Sequence, residues 1–287
     1  MLIIDNQRAL NEFCKQIQSC KTISVDTEFV RKNTYYARLS IIQVMAGSHK
    51  VIIDTLSNLV LAPLNEVFLN DQIVKIFHAP REDFEIFYHL FKKLPKNVFD
   101  TQIAAQLCEF GQYLSYGDIC YKICGIEIDK TYQRADWLKR PISNDMLDYA
   151  IKDVEHLERI YEVLGEIITK TNKQDVYNNK VHTSLLTIAN YAVNASTAWK
   201  KVKFNNHSSS FTRRMKIIAA YREEQASMID LPRRHFITDE DLVRICKHLP
   251  TTNKHFEDLK LVDGYLGRQK YRTQVAELCL AMLSGEE

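Results

Sequence analysis

Apolar and polar positions alternate differently in the two parts of this chain, predicting a mixed α/β front and a helical rear. Short runs rich in Ile and Val mark strands at 22–28, 37–46, 50–54 and 73–77. Helices are expected at 58–69, 81–92, 100–109 and 115–124. After Pro141, the residues Leu147, Ala150, Val154, Leu157, Tyr161, Leu164 and Ile168 recur at the three-and-four spacing of a core-facing stripe, which predicts one long helix. Beyond about residue 172 the strand signals stop, and loops such as His207-Ser208-Ser209-Ser210 and Leu231-Pro232-Arg233-Arg234 punctuate helical stretches. The expected organisation is an α/β domain over 1–172, a helical connector over 173–206 and a helical domain over 207–287.

Composition narrows the partners. A chain of 287 residues, 46% hydrophobic and 26% charged, has enough apolar sequence for a sizeable core and is not of the disordered type. With 38 Lys and Arg against 36 Asp and Glu, any basic surface has to be local, so nucleic acid is permitted rather than demanded. The seven cysteines are scattered and form no C-x-x-C pair, which argues against a zinc frame and predicts reduced thiols in a cytoplasmic protein. The opening Met1-Leu2-Ile3-Ile4-Asp5 lacks the basic-then-apolar order of a secretory signal. Val181 to Trp199 is the longest stretch without Lys, Arg, Asp or Glu, but its Thr, Ser and Asn residues make it too polar to span a bilayer. It reads as a helix docked on protein, and no membrane partner is expected.

The candidate chemistry lies in acids. In Ile23-Ser24-Val25-Asp26-Thr27-Glu28-Phe29, strand alternation puts Ser24, Asp26 and Glu28 on one face. Two carboxylates side by side on a half-buried sheet repel each other and lose hydration, so they call for a positive partner such as a divalent metal; a solvated outer face is the alternative. Asp83 follows a strand and stands in the first turn of a helix, where an acid also complements the helix dipole. That position is the carboxyl edge of the sheet, where open α/β folds place their chemistry. Tyr149 and Asp153 are i and i+4 on the long helix, a phenol and a carboxylate able to hold a water between them or to sit on a solvated flank. Their occurrence together, and in this order, favours a site.

Val25-Asp26-Thr27-Glu28-Phe29, His78-Ala79-Pro80-Arg81-Glu82-Asp83 and Tyr149-Ala150-Ile151-Lys152-Asp153-Val154 resemble the three motifs of the DEDDy 3'-5' exonucleases. Leu39-Ser40-Ile41-Ile42-Gln43 is similar to the second strand of that family. Asp129-Lys130-Thr131-Tyr132-Gln133-Arg134-Ala135-Asp136-Trp137-Leu138 is similar to the ribonuclease D loop before the final helix. The resemblance implies a ribonuclease H-like (DnaQ-like) mixed sheet flanked by helices. It also implies two divalent cations, Mg²⁺ or Mn²⁺, held by Asp26, Glu28, Asp83 and Asp153. Asp26 would bridge both, Glu28 and Asp153 would complete the ion on the nucleophile side, Asp83 would serve the other through water, and Tyr149 would orient the attacking water. Gln43, Lys130 and Arg134 are weaker candidates for substrate contact. For Asp136 and Trp137 a structural role is preferred, as an Arg-Asp ion pair and an anchor.

Tyr221 to Ala226, Asp230 to Arg234, Thr238 to Leu242 and Gly264 resemble an HRDC module, which makes the tail an all-α, HRDC-like domain. Its RNA contacts would come from Arg213, Arg214, Lys216, Arg233, Arg234, Lys270 and Arg272. The implied activity is 3'-to-5' exoribonuclease action on precursor tRNA and other structured RNA, releasing nucleoside 5'-monophosphates from a monomeric enzyme. A DNA 3'-to-5' exonuclease and a non-catalytic RNA-binding protein are the competing readings.

Overall fold

The structure, a computed structural model, describes residues 1–205 and 208–285. The expected boundary at 206/207 and His207 of the expected loop lie outside them. The chain forms two compact units, Met1–Val30 with Ala37–Tyr191, and Arg31–Tyr36 with Ala192–Glu287.

The first unit begins with β1 (Leu2–Ile4), α1 (Gln7–Ile17), β2 (Thr22–Val30), β3 (Arg38–Ala46) and β4 (His49–Asp54). Next come α2 (Ala62–Leu69), β5 (Val74–Phe77), α3 (Arg81–Phe91), β6 (Val98–Asp100), α4 (Thr101–Leu107) and α5 (Tyr116–Cys124). It closes with α6 (Asn144–Glu155), α7 (Leu157–Lys170) and α8 (Gln174–Leu185). The strands form one sheet in the order β1-β4-β3-β2-β5-β6. β2, β3 and β4 pair antiparallel, while β1 joins β4, and β5 and β6 extend from β2, in parallel. This is the expected mixed sheet flanked by helices. Because β5 pairs only with Thr22 to Ser24, the second half of β2, carrying Asp26 and Glu28, runs past the carboxyl end of β5, where α3 starts.

Local signals explain most boundaries. Asn6 caps α1 by accepting from the Ala9 amide, and Leu10, Phe13, Cys14 and Ile17 line its buried face. The helix expected from residue 58 starts at Ala62, because Asn58 adopts a left-handed backbone and Pro63 suits a first turn. Ser115 and Asp118 open α5 with a reciprocal capping box, and Gly125 at φ +70° ends it in a conformation other residues resist.

Two longer elements also depart from expectation. The long helix after Pro141 is interrupted at His156 and forms α6 and α7, although Leu147, Ala150, Val154, Leu157, Leu164 and Ile168 all keep to one buried stripe. Burying side chains of this size stabilises by about 1.5–3 kcal/mol each, so the stripe tolerates a break that leaves its phase intact. Val181 to Trp199 is not one helix. α8 ends at Leu185, and short 3-10 turns follow at Ile188–Asn190 and Ala195–Lys201.

The second unit is helical, with α9 (Ser209–Met228), α10 (Arg233–Phe236), α11 (Asp239–His248), α12 (Asn253–Asp258) and α13 (Gln269–Ser284). Ser209 and Ser210 open α9 rather than lying in a loop, because Ser208 caps the helix. Its core gathers Phe211, Met215, Ile218, Phe236, Leu242, Ile245, Phe256 and Val275. Among the basic residues expected to meet RNA, most have internal partners. Arg214 donates to the Cys246 carbonyl, Lys216 lies over Trp199, Arg233 and Arg234 pair with Glu223 and Asp239, and Arg272 donates to Leu266 and Gly267 carbonyls. No helix among the described residues is long and apolar enough to cross a membrane.

Candidate active site

β2 carries Asp26 and Glu28 on one face, and α6, packed across β2, β3 and β4, brings Tyr149 and Asp153 to them. Carboxylate oxygens of Asp26, Glu28 and Asp153 all lie within 4.8 Å of one another. Asp153 also takes a hydrogen bond from the Tyr149 phenol one turn earlier. Asp83, on the first turn of α3, stands outside that tight trio and accepts from the Thr27 hydroxyl, which leaves β2 on the side opposite Asp26.

The His78-Ala79 corner that launches α3 is held by Asp100 and Thr101, which belong to none of the three motifs. Asp100 accepts from the Ala79 amide at 3.0 Å and from the Gln102 amide at 2.8 Å, pinning Ala79 in a left-handed backbone at φ +52°. The Thr101 hydroxyl lies 2.8 Å from His78 Nδ1, and His78 Nε2 lies 3.0 Å from the Leu114 carbonyl. Burial pushes the His78 imidazole down to about 4, so it stays neutral, a structural hinge rather than a general base.

Burial and mutual repulsion govern the electrostatics. Burial raises Asp26 well above the carboxylate range, with Asp83, Asp153 and Glu28 adding like charge. Burial first, then Asp153 and Asp83, pushes Glu28 up to about 9. Asp153 rises through burial to about 7, although the Tyr149 hydrogen bond pulls the other way. Asp83 rises through burial to about 6 against the Thr27 bond. Burial and the adjacent Asp153 likewise raise the Tyr149 phenol, so it remains an O–H donor.

Asp26, Glu28, Tyr149 and Asp153 meet at a cleft of about 380 Å³ lined also by His78, Gln102, Tyr116, Asp129, Lys130 and Gln133; Asp83 lies behind this lining. Lys130 therefore reaches the site. Arg134 is exposed and outside the lining. Gln43 pairs with Asp26 in the β2–β3 register but is fully buried, and among the described residues neither end of its amide has a hydrogen-bond partner. Its burial leaves it no surface to offer a substrate. The loop is stapled by Arg140, not Arg134, with bonds of 2.8 and 2.7 Å to Asp54 and a third to the Trp137 carbonyl. Trp137 is the buried anchor expected of it, its ring 6.1 Å from that of Tyr149.

An all-oxygen donor set of carboxylates this close fits hard divalent cations, which favour oxygen ligands and cancel the repulsion. The residues present thus suit the metal the motifs imply.

Comparison with known proteins agrees with the geometry. The model of a 3'-5' exonuclease family matches residues 1–169. A ribonuclease D of Sphingobium indicum is 34% identical over 284 residues, covering 98% of this chain and 72% of that protein. The chain belongs to the ribonuclease D family of 3'-5' exonucleases. A second member of the ribonuclease D family, from Bartonella henselae, is 37% identical over 83% of this chain, and the match spans 58% of that protein. The crystal structure of Escherichia coli RNase D, an exoribonuclease involved in structured RNA processing, superposes with a TM-score of 0.85 at 25% identity, covering 98% of this chain and 75% of that one.

The raised carboxylates make a stability prediction for this ribonuclease D family member. Without metal, the folded chain keeps protons on Asp26, Glu28, Asp83 and Asp153 at pH values where the unfolded chain has released them. The native state binds more protons between about pH 4 and pH 9, so stability falls as pH rises through that window. In EDTA the melting temperature is expected to drop by about 5 °C or more from pH 5 to pH 9. Excess Mn²⁺ restores more of it at pH 8 than at pH 5. A melting temperature in EDTA that rises across this range contradicts the reading.

Proposed function

We propose that this chain removes nucleotides one at a time from the 3' ends of RNA by hydrolysing the terminal phosphodiester. Precursor tRNA and other structured RNA form the substrate class. The observation that carries the reading is the Asp26, Glu28 and Asp153 trio within 4.8 Å, joined to Tyr149 in one cleft. Asp26, Glu28 and Asp153, with Asp83 beyond them, would hold two divalent cations, Mg²⁺ or Mn²⁺. When bound, such ions stabilise the attacking and leaving oxygens of an in-line displacement at phosphorus.

The protein's own groups do the rest. Tyr149, a hydroxyl donor tied to Asp153, orients the attacking water toward the terminal phosphorus. Lys130 on the rim attracts the phosphate chain. The product is a nucleoside 5'-monophosphate. The tail serves as an HRDC-like module from residue 207 onward, and ion pairs of Arg222, Arg233, Arg234 and Arg244, with carbonyl bonds of Arg214 and Arg272, support a packing role for these arginines. A monomer is sufficient, since every proposed ligand comes from one chain.

The decisive assay uses 5'-labelled RNA and DNA of equal sequence with Mg²⁺, Mn²⁺ or EDTA. The expected result is a ladder of RNA products shortened from the 3' end, abolished by EDTA. A ladder on DNA alone would assign a deoxyribonuclease, and binding without a ladder would assign a non-catalytic RNA-binding protein.

A further inference from the structure

α6 and α7 would be one helix but for a single missing link. In an unbroken α-helix the His156 amide donates to the Lys152 carbonyl, four residues back. Here the Tyr116 hydroxyl stands between them, donating to the Lys152 carbonyl at 2.8 Å and accepting from the His156 amide at 3.3 Å. The His156 amide also turns toward the Val154 carbonyl, and its backbone sits at φ −107°, ψ −1°. Neither proline nor glycine lies at this break, and an inserted side chain is a recognised cause of an interrupted helical ladder.

The insertion brackets a residue of the site. Asp153 lies between the two residues that Tyr116 bridges, one position after Lys152. Tyr116 is itself well anchored. It is the first residue of α5, directly after the Ser115 cap and its reciprocal bond with Asp118. Its ring lines the same cleft as Asp26, Glu28, Tyr149 and Asp153 and meets the His78 ring edge-on at 5.9 Å. His78 is in turn held between Thr101 and the Leu114 carbonyl. The last turn of α6 is thus hydrogen-bonded to a fixed point on another helix.

We propose that Tyr116 is a positioning residue that sets Asp153 for metal binding by inserting its hydroxyl into the α6–α7 backbone. With the hydroxyl gone, the Lys152 carbonyl and the His156 amide are free to bond directly. The helix then straightens, and Asp153 turns away from Asp26 and Glu28. A shift of about 1 Å in such a ligand is enough for a large rate loss. The inference rests on Asp153 being a metal ligand.

The test is Tyr116→Phe, which removes one oxygen and keeps the ring in the cleft. The expected result is a kcat at least about tenfold lower and a Mn²⁺ activation midpoint raised about fivefold, with KM for RNA within about twofold and an unchanged melting temperature. A ring that merely touches RNA would raise KM alone, and that outcome overturns the proposal. So does a variant whose kcat and Mn²⁺ midpoint both stay within about twofold of the parent. Loss of fold overturns it as well, since the hydroxyl is assigned a share in site geometry and none in holding the chain together. Asp153→Asn separates the two levels. If it is inactive while Tyr116→Phe behaves as the parent, only the positioning role fails; if it is fully active, the reading of the site fails first.

Discussion

Asp26→Asn is expected to lower turnover by about 10³-fold or more while leaving the chain folded. Asp26 is the residue on which the other three acids converge, since Asp83, Asp153 and Glu28 each oppose its ionisation. Asparagine keeps the shape and one oxygen but removes the charge that would answer two cations at once. The same change relieves repulsion in the metal-free protein. In EDTA at pH 8 the variant should therefore melt at or above the parent temperature, whereas a merely disruptive substitution would melt below it. Single-turnover RNA cleavage and a thermal melt together check this. Activity within about tenfold of the parent would remove Asp26 from the metal site.

Arg222→Ala is expected to destabilise the helical unit by about 3 kcal/mol or more. Arg222 is fully buried on α9 and donates to the Ile237 carbonyl at 3.0 Å and to Asp239 at 2.7 Å, tying α9 to the start of α11. Truncation removes its packing volume and leaves the Ile237 carbonyl without that donor. Asp239 keeps Arg234 at 2.8 Å, so the loss falls mainly on packing and on the carbonyl. Arg222→Met, which refills the space without the hydrogen bonds, should recover part of the stability. Trp199 reports on this unit once the other tryptophan, Trp137, is replaced by Phe. Urea melts followed by its fluorescence measure the difference, and a change below about 1 kcal/mol would contradict the role given to Arg222.

Much of the architecture was legible because its causes are local. The alternation in residues 22–28 and the three-and-four stripe from Leu147 to Ile168 report burial directly; the strand forms where expected, and the stripe stays buried although it is shared between α6 and α7. α1, absent from the expected helices, carries the same kind of local signal in its Asn6 cap and the spacing of Leu10, Phe13, Cys14 and Ile17. β1 and β6 have three residues each, too few for a period to declare itself.

The site divides the same way. Asp26, Glu28, Tyr149 and Asp153 meet because each sits at a regular position on a regular element. The break at His156 was invisible because the hydroxyl that bonds to both sides of it belongs to Tyr116, 40 residues earlier in the chain. Asp100 falls inside the helix expected over 100–109, and only the folded chain shows one of its oxygens capping α4 while also holding Ala79. Arg140 was missed for a similar reason, since its partner Asp54 is 86 residues away.

The six residues Arg31–Tyr36 leave the end of β2 and are counted with the helical unit. There the Tyr35 hydroxyl donates to Glu223 at 2.8 Å, and one oxygen of Asp230 accepts both the Tyr35 and Tyr36 amides at 3.0 Å. A protein stopped after Tyr191 would release this strap with its acceptors deleted, and residues 192–287 made alone would lack the tyrosine that Glu223 receives. The two halves are consequently poor candidates for exchange or independent inheritance, because trimming either at a single point removes a piece of the other.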